Sequence, residues 1–301
     1  QALFITVVFE VAGAFILARH AGPAVTAGAE WWPSLFHSVS AFNNAGFDIT
    51  TNAQGFAVFQ RDAFTLMVLS VLVFFGALST PVIVELVTRS FRGGFSLDSK
   101  LAMTTTVVLL ALGTLGFLLL ELGNAGPMNG MSGSDRVANS FFISMSSRTA
   151  GFSTVEFGRL MQQSLFLIMI LMFIGGVSGS TAGGIKVNTF AVMVLTSFSY
   201  LRGRGKVCAF NRQIPELQVH KAVAVTALSL LAILTVALAL SFTESFSFLE
   251  LSFETVSAFS TVGFSTGITP SLSVAGKLIL SLSMLVGRLG PLTVALALTR
   301  E

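Results

Sequence analysis

Hydrophobic residues in this chain occur in long stretches with few polar interruptions. A helix of about 20 apolar residues is long enough to cross the hydrocarbon core of a bilayer. The pattern therefore predicts several membrane-spanning helices. The apolar stretches cover residues 2–18, 63–87, 100–121, 160–175 continuing through 185–201, 220–241 and 275–298.

Three shorter, semi-apolar stretches lie between the long ones, and each leads directly into a glycine signature. Each is about ten residues long, too short to cross a bilayer as a helix. A half-crossing helix followed by irregular backbone is tolerated at membrane depth only inside the protein or beside a watery cavity. The short stretches are PSLFHSVSAF (33–42), VANSFFISMSS (137–147) and LELSFETVSAF (249–259). The signatures are FNNAGFDITT (42–51), SSRTAGFSTV (146–155) and AFSTVGFSTG (258–267).

One order of elements therefore occurs three times: long helix, short helix, glycine signature, long helix. The signatures align on Gly46, Gly151 and Gly263. Repeats this far apart indicate whole structural units rather than the short periods of a solenoid. We refer to the predicted units as unit A (1–87), unit B (100–201) and unit C (219–301).

Composition agrees with a membrane location. Of 301 residues, 53% are hydrophobic and 10% are charged, and the mean hydropathy is +0.83, whereas an ordinary soluble chain is nearer to a quarter charged. The first stretch does not resemble a secretory signal peptide, because it lacks a basic leader, contains Glu10 and ends in Arg19 and His20. The predicted fold class is an all-α membrane protein.

Charged residues are distributed unequally between the two ends of the predicted helices. Cytoplasmic loops carry an excess of Lys and Arg, so the connections between units are expected inside. The signature side is acidic and is expected outside, where it would raise the local cation concentration. The basic residues of the connections are Arg89, Arg92, Lys100, Arg202, Arg204, Lys206, Arg212 and Lys221. The acidic residues of the signature side are Glu30, Asp48, Glu156, Glu244, Glu250 and Glu254.

The glycine signatures have the residue types that an ion filter needs. A filter replaces the water around a cation with rings of backbone carbonyls, and glycine freely adopts the backbone conformations that this requires. The C-terminal ends of three short helices would add negative potential. A single small–Gly–Phe triplet is equally explained by helix packing or a loop turn, but three copies favour a ring around a pore. The candidate filter residues are Asn43, Asn44, Ala45, Gly46, Arg148, Thr149, Ala150, Gly151, Ser260, Thr261, Val262 and Gly263. The aromatic residues that would wedge these strands against the helices are Phe47, Phe152 and Phe264.

A glycine-rich segment, GGVSGSTAGGIK (175–186), interrupts the last long helix of unit B. Each glycine costs a helix about 1 kcal/mol relative to alanine, so we expect a loop at membrane depth without regular internal hydrogen bonds. A kinked helix is the alternative, and a phosphate-binding loop is excluded because no strand precedes it and GxxxxGK[ST] is not met. The candidate functional residues here are Gly175, Gly176, Gly179, Ser180, Thr181, Gly183, Gly184 and Lys186.

Arg288 lies deep in the last apolar stretch. A charge inside a membrane is costly unless it faces protein or water, which makes it a functional candidate; an arginine that snorkels near a helix end is the alternative. Other chemistry is not indicated. The histidines have no metal-site spacing, Cys208 is the single cysteine, and neither an enzymatic role nor a nucleic-acid partner is predicted.

Five segments together resemble the Trk/Ktr/HKT superfamily of potassium transporters, of the bacterial KtrB/TrkH type. They are FHSVSAFNNAGF, SRTAGFST, FETVSAFSTVGFSTGIT, GGVSGSTAGGIK and GRLGPLT. The resemblance implies four membrane–pore–membrane repeats around one pore with potassium-channel-like pseudo-fourfold symmetry, and a gate loop below the filter. It also implies K⁺ as the transported ion, with Na⁺ as a second possibility. A homodimer in the cytoplasmic membrane and a KtrA/TrkA-like nucleotide-binding regulatory ring are implied as well.

The sequence departs from this family in having three units, which match the second, third and fourth repeats. An open ring would expose polar pore lining to lipid. We therefore expect a partial sequence of a longer protein, with a genuine three-repeat pore as the alternative. In this family the first-repeat filter position bears on the preference between K⁺ and Na⁺.

The sequence thus predicts cation uptake through a carbonyl filter, closed by the glycine loop together with Arg288. A secondary transporter that binds a small solute at broken helices is the alternative, although such transporters commonly have inverted repeats and these repeats run the same way. A receptor or scaffold would explain neither the signatures nor the glycine loop. The basic stretch 202–215 fits either positive-inside topology or a docking face for the regulatory partner.

Overall fold

The fold is a set of α-helices with one small β-hairpin. The computed structural model describes residues 2–20, 31–50, 55–89, 94–124, 126–180, 182–203, 205–290 and 293. The helices are α1 (Ala2–His20), α2 (Trp31–Phe42), α3 (Ala63–Ala77), α4 (Thr80–Arg89), α5 (Leu97–Glu121), α6 (Gly133–Ser146), α7 (Gln162–Phe173), α8 (Val187–Leu201), α9 (Glu216–Thr243), α10 (Phe248–Phe259) and α11 (Val274–Leu289). Short 3₁₀ helices cover Gly55–Arg61, Phe157–Arg159 and Thr269–Ser271, and the strands are β1 (Cys208–Ala209) and β2 (Arg212–Gln213).

The long helices agree with the hydrophobic pattern, except that the predicted stretch 63–87 is divided at Leu78 and Ser79 into α3 and α4. Within the described ranges, α1, α5 and α9 are each long and apolar enough to cross a membrane. A fourth candidate is α3 with the preceding 3₁₀ helix, although the two are bent by 116°. The apolar helices α7 and α8 are shorter. These helices support the prediction of a multi-pass membrane protein.

The predicted short helices are confirmed as α2, α6 and α10, and their N-termini are capped where the sequence offers a hydroxyl. Ser132 accepts a hydrogen bond from the backbone of Asp135 at the start of α6. Ser247 and Glu250 form a reciprocal capping box at the start of α10. Such caps satisfy N–H groups that have no partner within the helix. They fix where each short helix begins and therefore how far it reaches.

Each short helix packs first against its own unit: α2 against α1, α6 against α5 and α10 against α9. The contact between one unit and the next is also repeated, because α3 of unit A packs against α6, and α7 of unit B packs against α10. The units therefore follow one another around a common centre. The sequence signatures at the ends of α2, α6 and α10 are brought to that centre.

Polar groups lie inside this assembly and apolar groups outside. Leu230, Leu231, Leu234 and Leu238 on α9 are exposed, whereas the interior contains many buried serine and threonine side chains. In water such a surface would be an aggregation hazard. In a bilayer it is the expected arrangement, since lipid tails cover the leucines.

The same close helix contact is used in units A and B. Ser38 Oγ donates to Glu10 O (2.7 Å), and Ser144 Oγ donates to Leu110 O (3.1 Å). A glycine stands one turn further along each long helix, where a Cβ would overlap the serine side chain. Small residues allow helix backbones to approach closely in membranes. This contact sets the depth of α2 and α6 against α1 and α5.

The β-hairpin is an element that the hydrophobic pattern did not indicate. Its two turn residues, Phe210 and Asn211, both have positive φ (49° and 61°), as a type I′ turn requires. The sequence Phe-Asn is not among the common signals for this turn, so the sequence does not predict the hairpin. Val207, Ala209 and Ile214 bury their side chains with residues of α5, α8 and α9. The basic connection between units B and C is therefore a folded feature.

Candidate functional site

The three glycine signatures converge in the structure. A Cβ added to Gly46 would lie 3.0 Å from Gly151 Cα and would overlap the carbonyl oxygen of Ala150. A Cβ added to Gly151 would overlap the carbonyl oxygen of Val262, and one added to Gly263 would lie 3.9 Å from Gly151 Cα. Backbones from three units thus meet at a distance that a side chain would prevent.

The backbone has the same unusual conformation in each signature. The glycine and the residue two positions before it both have positive φ in all three units. A non-glycine residue with positive φ is uncommon, and such conformations cost energy and cluster at functional sites. Their threefold recurrence indicates a shared function rather than three local accidents. The φ values are 51° at Asn44 and 70° at Gly46, 80° at Thr149 and at Gly151, and 53° at Thr261 and 96° at Gly263.

Hydrogen bonds from the short helices hold these strands from behind. The backbone N–H groups of Ala45, Ala150 and Val262 donate to carbonyls of their own short helix, over 2.8, 3.0 and 2.9 Å. In units A and B a serine hydroxyl also binds the carbonyl of the signature phenylalanine. Because these N–H groups donate to the short helices, the signatures are held in a fixed position relative to those helices.

A histidine–carboxylate pair braces the outer end of the signature in unit A. The Nε2 atom of the buried His37 lies 3.0 Å from Oδ1 of Asp48. Asp48 also accepts hydrogen bonds from the backbone and side chain of Thr50. Burial alone would raise the pKa of Asp48, but the hydrogen bonds from His37 and Thr50 outweigh burial and lower the pKa below its usual value. The acidic residue predicted on this side is thus a structural brace.

Unit C has a brace of different chemistry at the same place. His37 and Glu254 precede their signature glycines by the same number of residues. The buried carboxylate of Glu254 accepts from Ser265 Oγ (2.7 Å), from the backbone N–H of Thr266 (2.9 Å) and from Thr269 Oγ1 (2.7 Å). The sequence showed Glu254 only as part of an acidic surface, because its partners follow the signature and meet it only after folding.

The signature phenylalanines form an aromatic chain between units. The ring centroid of Phe152 lies 4.7 Å from that of Phe56 in unit A, and Phe264 lies 4.4 Å from Phe157 in unit B. Each ring therefore packs on the preceding unit. The predicted wedge is wrong for Phe47, which is 67% exposed, because no described unit precedes unit A.

The glycine-rich segment is a loop with a paired stem. Ile174 and Ile185 form a parallel bridge, Gly175 N–H donates to Ile185 O (2.8 Å) and Val187 N–H donates to Gly176 O (3.0 Å). The expectation of a loop rather than a kinked helix is confirmed. The expectation that it lacks regular internal hydrogen bonds is wrong at this stem, because the two ends lie side by side.

The loop reaches both neighbouring units beneath the signatures. Val177 N–H donates to Ala77 O (3.0 Å) at the end of α3, and the Val177 side chain is buried in a cluster with Leu78 and Val82. On the other side, a Cβ added to Gly183 would overlap the carbonyl oxygen of Ser260. The tip residue Gly179 is exposed. The loop therefore spans the space below the convergence point.

Three cations lie around this loop. Lys186 Nζ donates to Ala182 O (2.5 Å) and interacts electrostatically with Arg288. Arg288 was predicted to be a charge inside the last apolar stretch that faces protein or water, with an arginine near a helix end as the alternative. It is exposed at the end of α11, which ends at Leu289. Arg148, predicted as a filter residue, is buried, and its guanidinium points to Thr106 and Gly175. Its side chain is therefore turned away from the convergence point, and only its backbone carbonyl could line a pore there.

Several predicted residues lie outside the described residues. They are Glu30, Arg92, Thr181, Arg204, and the last predicted span beyond residue 290 except residue 293. Of the basic inner residues whose side chains are described, Arg202, Lys206, Arg212 and Lys221 are exposed. The surface near the hairpin is therefore positively charged.

Two clefts open beside the convergence point. One, of about 470 Å³, is lined by Glu156, Phe264 and Gly263 among others, and lies on the signature side. The other, of about 310 Å³, lies between Ala45 of unit A and Met284 of unit C. The second cleft therefore lies between unit A and unit C, the first and the last of the three units around the common centre.

Comparison with known families agrees with this architecture. Residues 2–301 match the family model TrkH, described as a cation transport protein. The chain belongs to the TrkH family. It is similar to the Ktr system potassium uptake protein B of Bacillus subtilis (37% identity, covering 94% of this chain and 63% of the relative) and of Vibrio alginolyticus (40% identity, 89% and 59%). The potassium/sodium uptake protein NtpJ of Enterococcus hirae is 34% identical, covering 97% and 65%.

A solved structure has the same fold. It is the potassium transporter TrkH from Vibrio parahaemolyticus, with a TM-score of 0.79 and 22% sequence identity, and the match covers 99% of this chain and 63% of that one. The TrkH-family chain thus spans about three fifths of its relatives' length. The predicted helical membrane fold is confirmed.

Proposed function

We propose that this chain forms most of the pore of a cation uptake protein and carries K⁺ through a filter of backbone carbonyls. The observation that carries the proposal is the convergence of three glycine signatures in one repeated left-handed backbone conformation. The carbonyls concerned belong to residues 43–46, 148–151 and 260–263. Dehydrated cations are bound by such rings of carbonyls.

The surroundings of the filter favour a cation. The C-terminal ends of α2, α6 and α10 lead into the three strands, and helix C-termini carry partial negative charge. The uptake relatives are named for potassium, and one is named for potassium and sodium. K⁺ is therefore the proposed cargo, with Na⁺ as the second ion. No organic cofactor and no enzymatic step are part of this proposal.

The glycine loop is the proposed gate. It lies below the filter and contacts units A and C through Val177 and Gly183. Lys186 and Arg288 add positive charge next to it, which opposes the passage of a cation. Gly175, Gly176, Gly179, Ser180, Gly183 and Gly184 belong to this gate, together with Thr181.

The complete transporter is proposed to be larger than this chain. Units A, B and C act as the second, third and fourth repeats, and a further repeat covers the exposed Phe47 and the cleft next to Ala45. The transporter is proposed to lie in the cytoplasmic membrane as a homodimer. A cytoplasmic nucleotide-binding ring of KtrA/TrkA type would meet the basic inner surface at Arg202, Lys206 and Arg212.

The experiment is Rb⁺ flux into liposomes that contain the full-length protein, with Gly151→Ala compared with Gly123→Ala. A Cβ at Gly151 is strained by its φ of 80° and overlaps Val262 O, whereas one at Gly123 meets nothing within 4 Å. We expect Gly151→Ala to lower Rb⁺ flux or K⁺ preference about fivefold or more, because such backbone strain costs about 1–3 kcal/mol. Gly123→Ala should conduct normally.

Two results would contradict the proposal. One is a folded Gly151→Ala protein whose flux and K⁺ preference equal those of Gly123→Ala. The other is saturable exchange of a small solute without Rb⁺ flux, which would support the alternative of a secondary transporter with broken helices. Amino acids or sugars added during the flux measurement distinguish the two functions, because they should leave Rb⁺ flux through a carbonyl filter unchanged.

A further inference from the structure

Arg148 is the largest of the fully buried side chains, with 2% of its surface exposed. It follows the C-terminal end of α6 and stands three residues before Gly151. Its guanidinium donates to Gly175 O (3.2 Å), to Thr106 Oγ1 (3.4 Å) and to Thr106 O (3.5 Å). The side chain therefore connects the glycine signature of unit B, helix α5 and the first residue of the glycine loop.

The partners of Arg148 are all neutral. None of the ion pairs found among the described residues includes it, and its Nε has no hydrogen-bond partner there. A buried charge without a counter-charge is costly, and apolar replacements of buried charges are often neutral or stabilising. The stability of the fold therefore gives little reason for an arginine here. A reason is that its long side chain extends from the signature of unit B to the glycine loop.

The corresponding positions in the other units make different contacts. Asn43 Nδ2 donates to Glu10 Oε1 (2.6 Å) on the first long helix of its own unit. Ser260 Oγ is buried without a partner among the described residues. Of the three, Arg148 is the one whose side chain binds the segment that interrupts a long helix. The difference coincides with the unit that carries the loop.

Arg148 binds the loop at its base. Gly175 closes the stem through its own N–H, which donates to Ile185 O. Its carbonyl is the one that Arg148 holds. A displacement of the loop that opens the stem would move this carbonyl. The movement would then reach Thr149 and Gly151, whose left-handed conformations are the strained part of the strand.

We propose that Arg148 is a positioning residue that couples the glycine loop to the filter strand of unit B. Displacement of the loop then changes conduction in the filter as well as opening the path below it. This inference rests on the proposed function of the site. It assigns to the Arg148 side chain a role in transmitting the state of the gate rather than in binding the ion.

The first test is a double-mutant cycle on the full-length protein in liposomes. Arg148→Gln is combined with deletion of residues 177–180, which removes the anchor of the loop at Ala77. In the intact loop background, we expect Arg148→Gln to lower K⁺ over Na⁺ preference about tenfold, as loss of hydrogen bonds from a charged group predicts. In the shortened background the same change should have less than about a twofold effect, because coupled residues are non-additive.

Arg148→Lys is the second variant, since it keeps the charge but lacks the planar fork that reaches two partners. It should lower the K⁺ preference in the same direction, and size-exclusion profiles confirm folding. Equal effects of Arg148→Gln in both backgrounds, or no effect in the intact one, would overturn the coupling.

The second test does not depend on transport. A spin label is placed at the exposed position 178 (Ser178→Cys) in a Cys208→Ser background. Arg148→Gln should increase the mobility of this label, because the base of the loop is released. Unchanged mobility would overturn the coupling. Absence of Rb⁺ flux in the unsubstituted protein would instead contradict the proposed function, while the label still reports on the loop.

Discussion

Units A and B interrupt their last long helix at the same level but in different ways. In unit A, Leu78 and Ser79 separate α3 from α4, whereas in unit B residues 174–186 separate α7 from α8. The break below the signature is therefore common to both units, and the loop of unit B is an expansion of it. The two units therefore share the broken helix, and only unit B carries a long loop at the break.

The two breaks also fit together. Ala77 O, at the end of α3, accepts the hydrogen bond from Val177 N–H, and the Val177 side chain packs with Leu78. Unit A thus provides the receiving surface and unit B the inserted segment. Above the break, the strands of both units have the same left-handed positions. The units differ below the proposed filter and behind it, where Asn43 and Arg148 make different contacts.

The largest effect is expected where unit A depends on a close helix contact. A Cβ at Gly76 would overlap the carbonyl oxygen of Phe42, and the equivalent Gly287 in unit C meets Phe259 in the same way. Overpacking costs about 1–3 kcal/mol, and the obstacle here is rigid backbone. We expect Gly76→Ala to lower the melting temperature in detergent strongly. Gly123→Ala is the control, and equal melting temperatures for the two variants would refute the contact.

The second prediction concerns the seat of the loop in unit A. Val177→Ala removes methyl groups from the buried cluster with Leu78 and Val82, at a cost of about 1–2 kcal/mol. If this cluster holds the loop closed, flux of Rb⁺ without a regulatory partner should rise about five- to thirtyfold, the factor that corresponds to about 1–2 kcal/mol. Ser178→Ala, at an exposed neighbouring position, is the matched control. Partner-free flux that is the same in both variants would mean that the anchor does not keep the gate closed.

A smaller effect is expected from the charge contributed by unit C. Arg288→Ala removes one of the two cations that interact beside the loop, and Rb⁺ flux should rise about fivefold or less, because water screens exposed charges. Arg288→Lys should conduct like the wild type. Lys277→Ala removes an equal charge from the other end of the same helix and should have no effect. A rise in Lys277→Ala as large as in Arg288→Ala would show a general surface-charge effect.

How much of this comparison the sequence predicted depends on the range of the interactions involved. The length of apolar stretches and the repeated signatures predicted the long helices, α2, α6, α10 and the convergence of three glycines, because these features are local and recur. The Val177 seat, the Arg148 contacts and the Glu254 brace join residues far apart in the chain. Their partners are backbone carbonyls and hydroxyls, which occur everywhere and therefore carry no sequence signal.

The misjudged positions have the same origin. Phe47 follows its signature glycine as Phe152 and Phe264 do, yet it is exposed because burial depends on the preceding unit. Arg288 lies within an apolar stretch, yet α11 ends next to it and leaves it exposed. Periodicity describes one helix at a time, whereas these two outcomes are decided by neighbours.

The smallest predicted effect is a pH dependence of the brace in unit A. The pKa of Asp48 is lowered in the folded protein: burial raises it, but the hydrogen bonds from His37 and Thr50 lower it more. A carboxylate with a lowered pKa stabilises the fold above its unfolded pKa of 3.8, and this contribution is lost as the pH falls through the folded value. The contribution should stay below about 1 kcal/mol, since Asp48 is partly exposed.

Melting temperatures in detergent between neutral pH and the acid limit of folding test this brace. Asp48→Asn should lower the melting temperature at neutral pH. The difference from the wild type should shrink as the pH falls from the unfolded pKa through the lower folded pKa, below which Asp48 is uncharged in both states. Glu156→Gln is the control, since that carboxylate is exposed and its ion-pair partner Arg159, 3.7 Å away, is exposed as well; it should leave the pH profile unchanged. A difference between Asp48→Asn and wild type that is constant across this range would mean that the brace acts through shape alone, and the charge of Asp48 would then contribute nothing to holding the glycine signature of unit A.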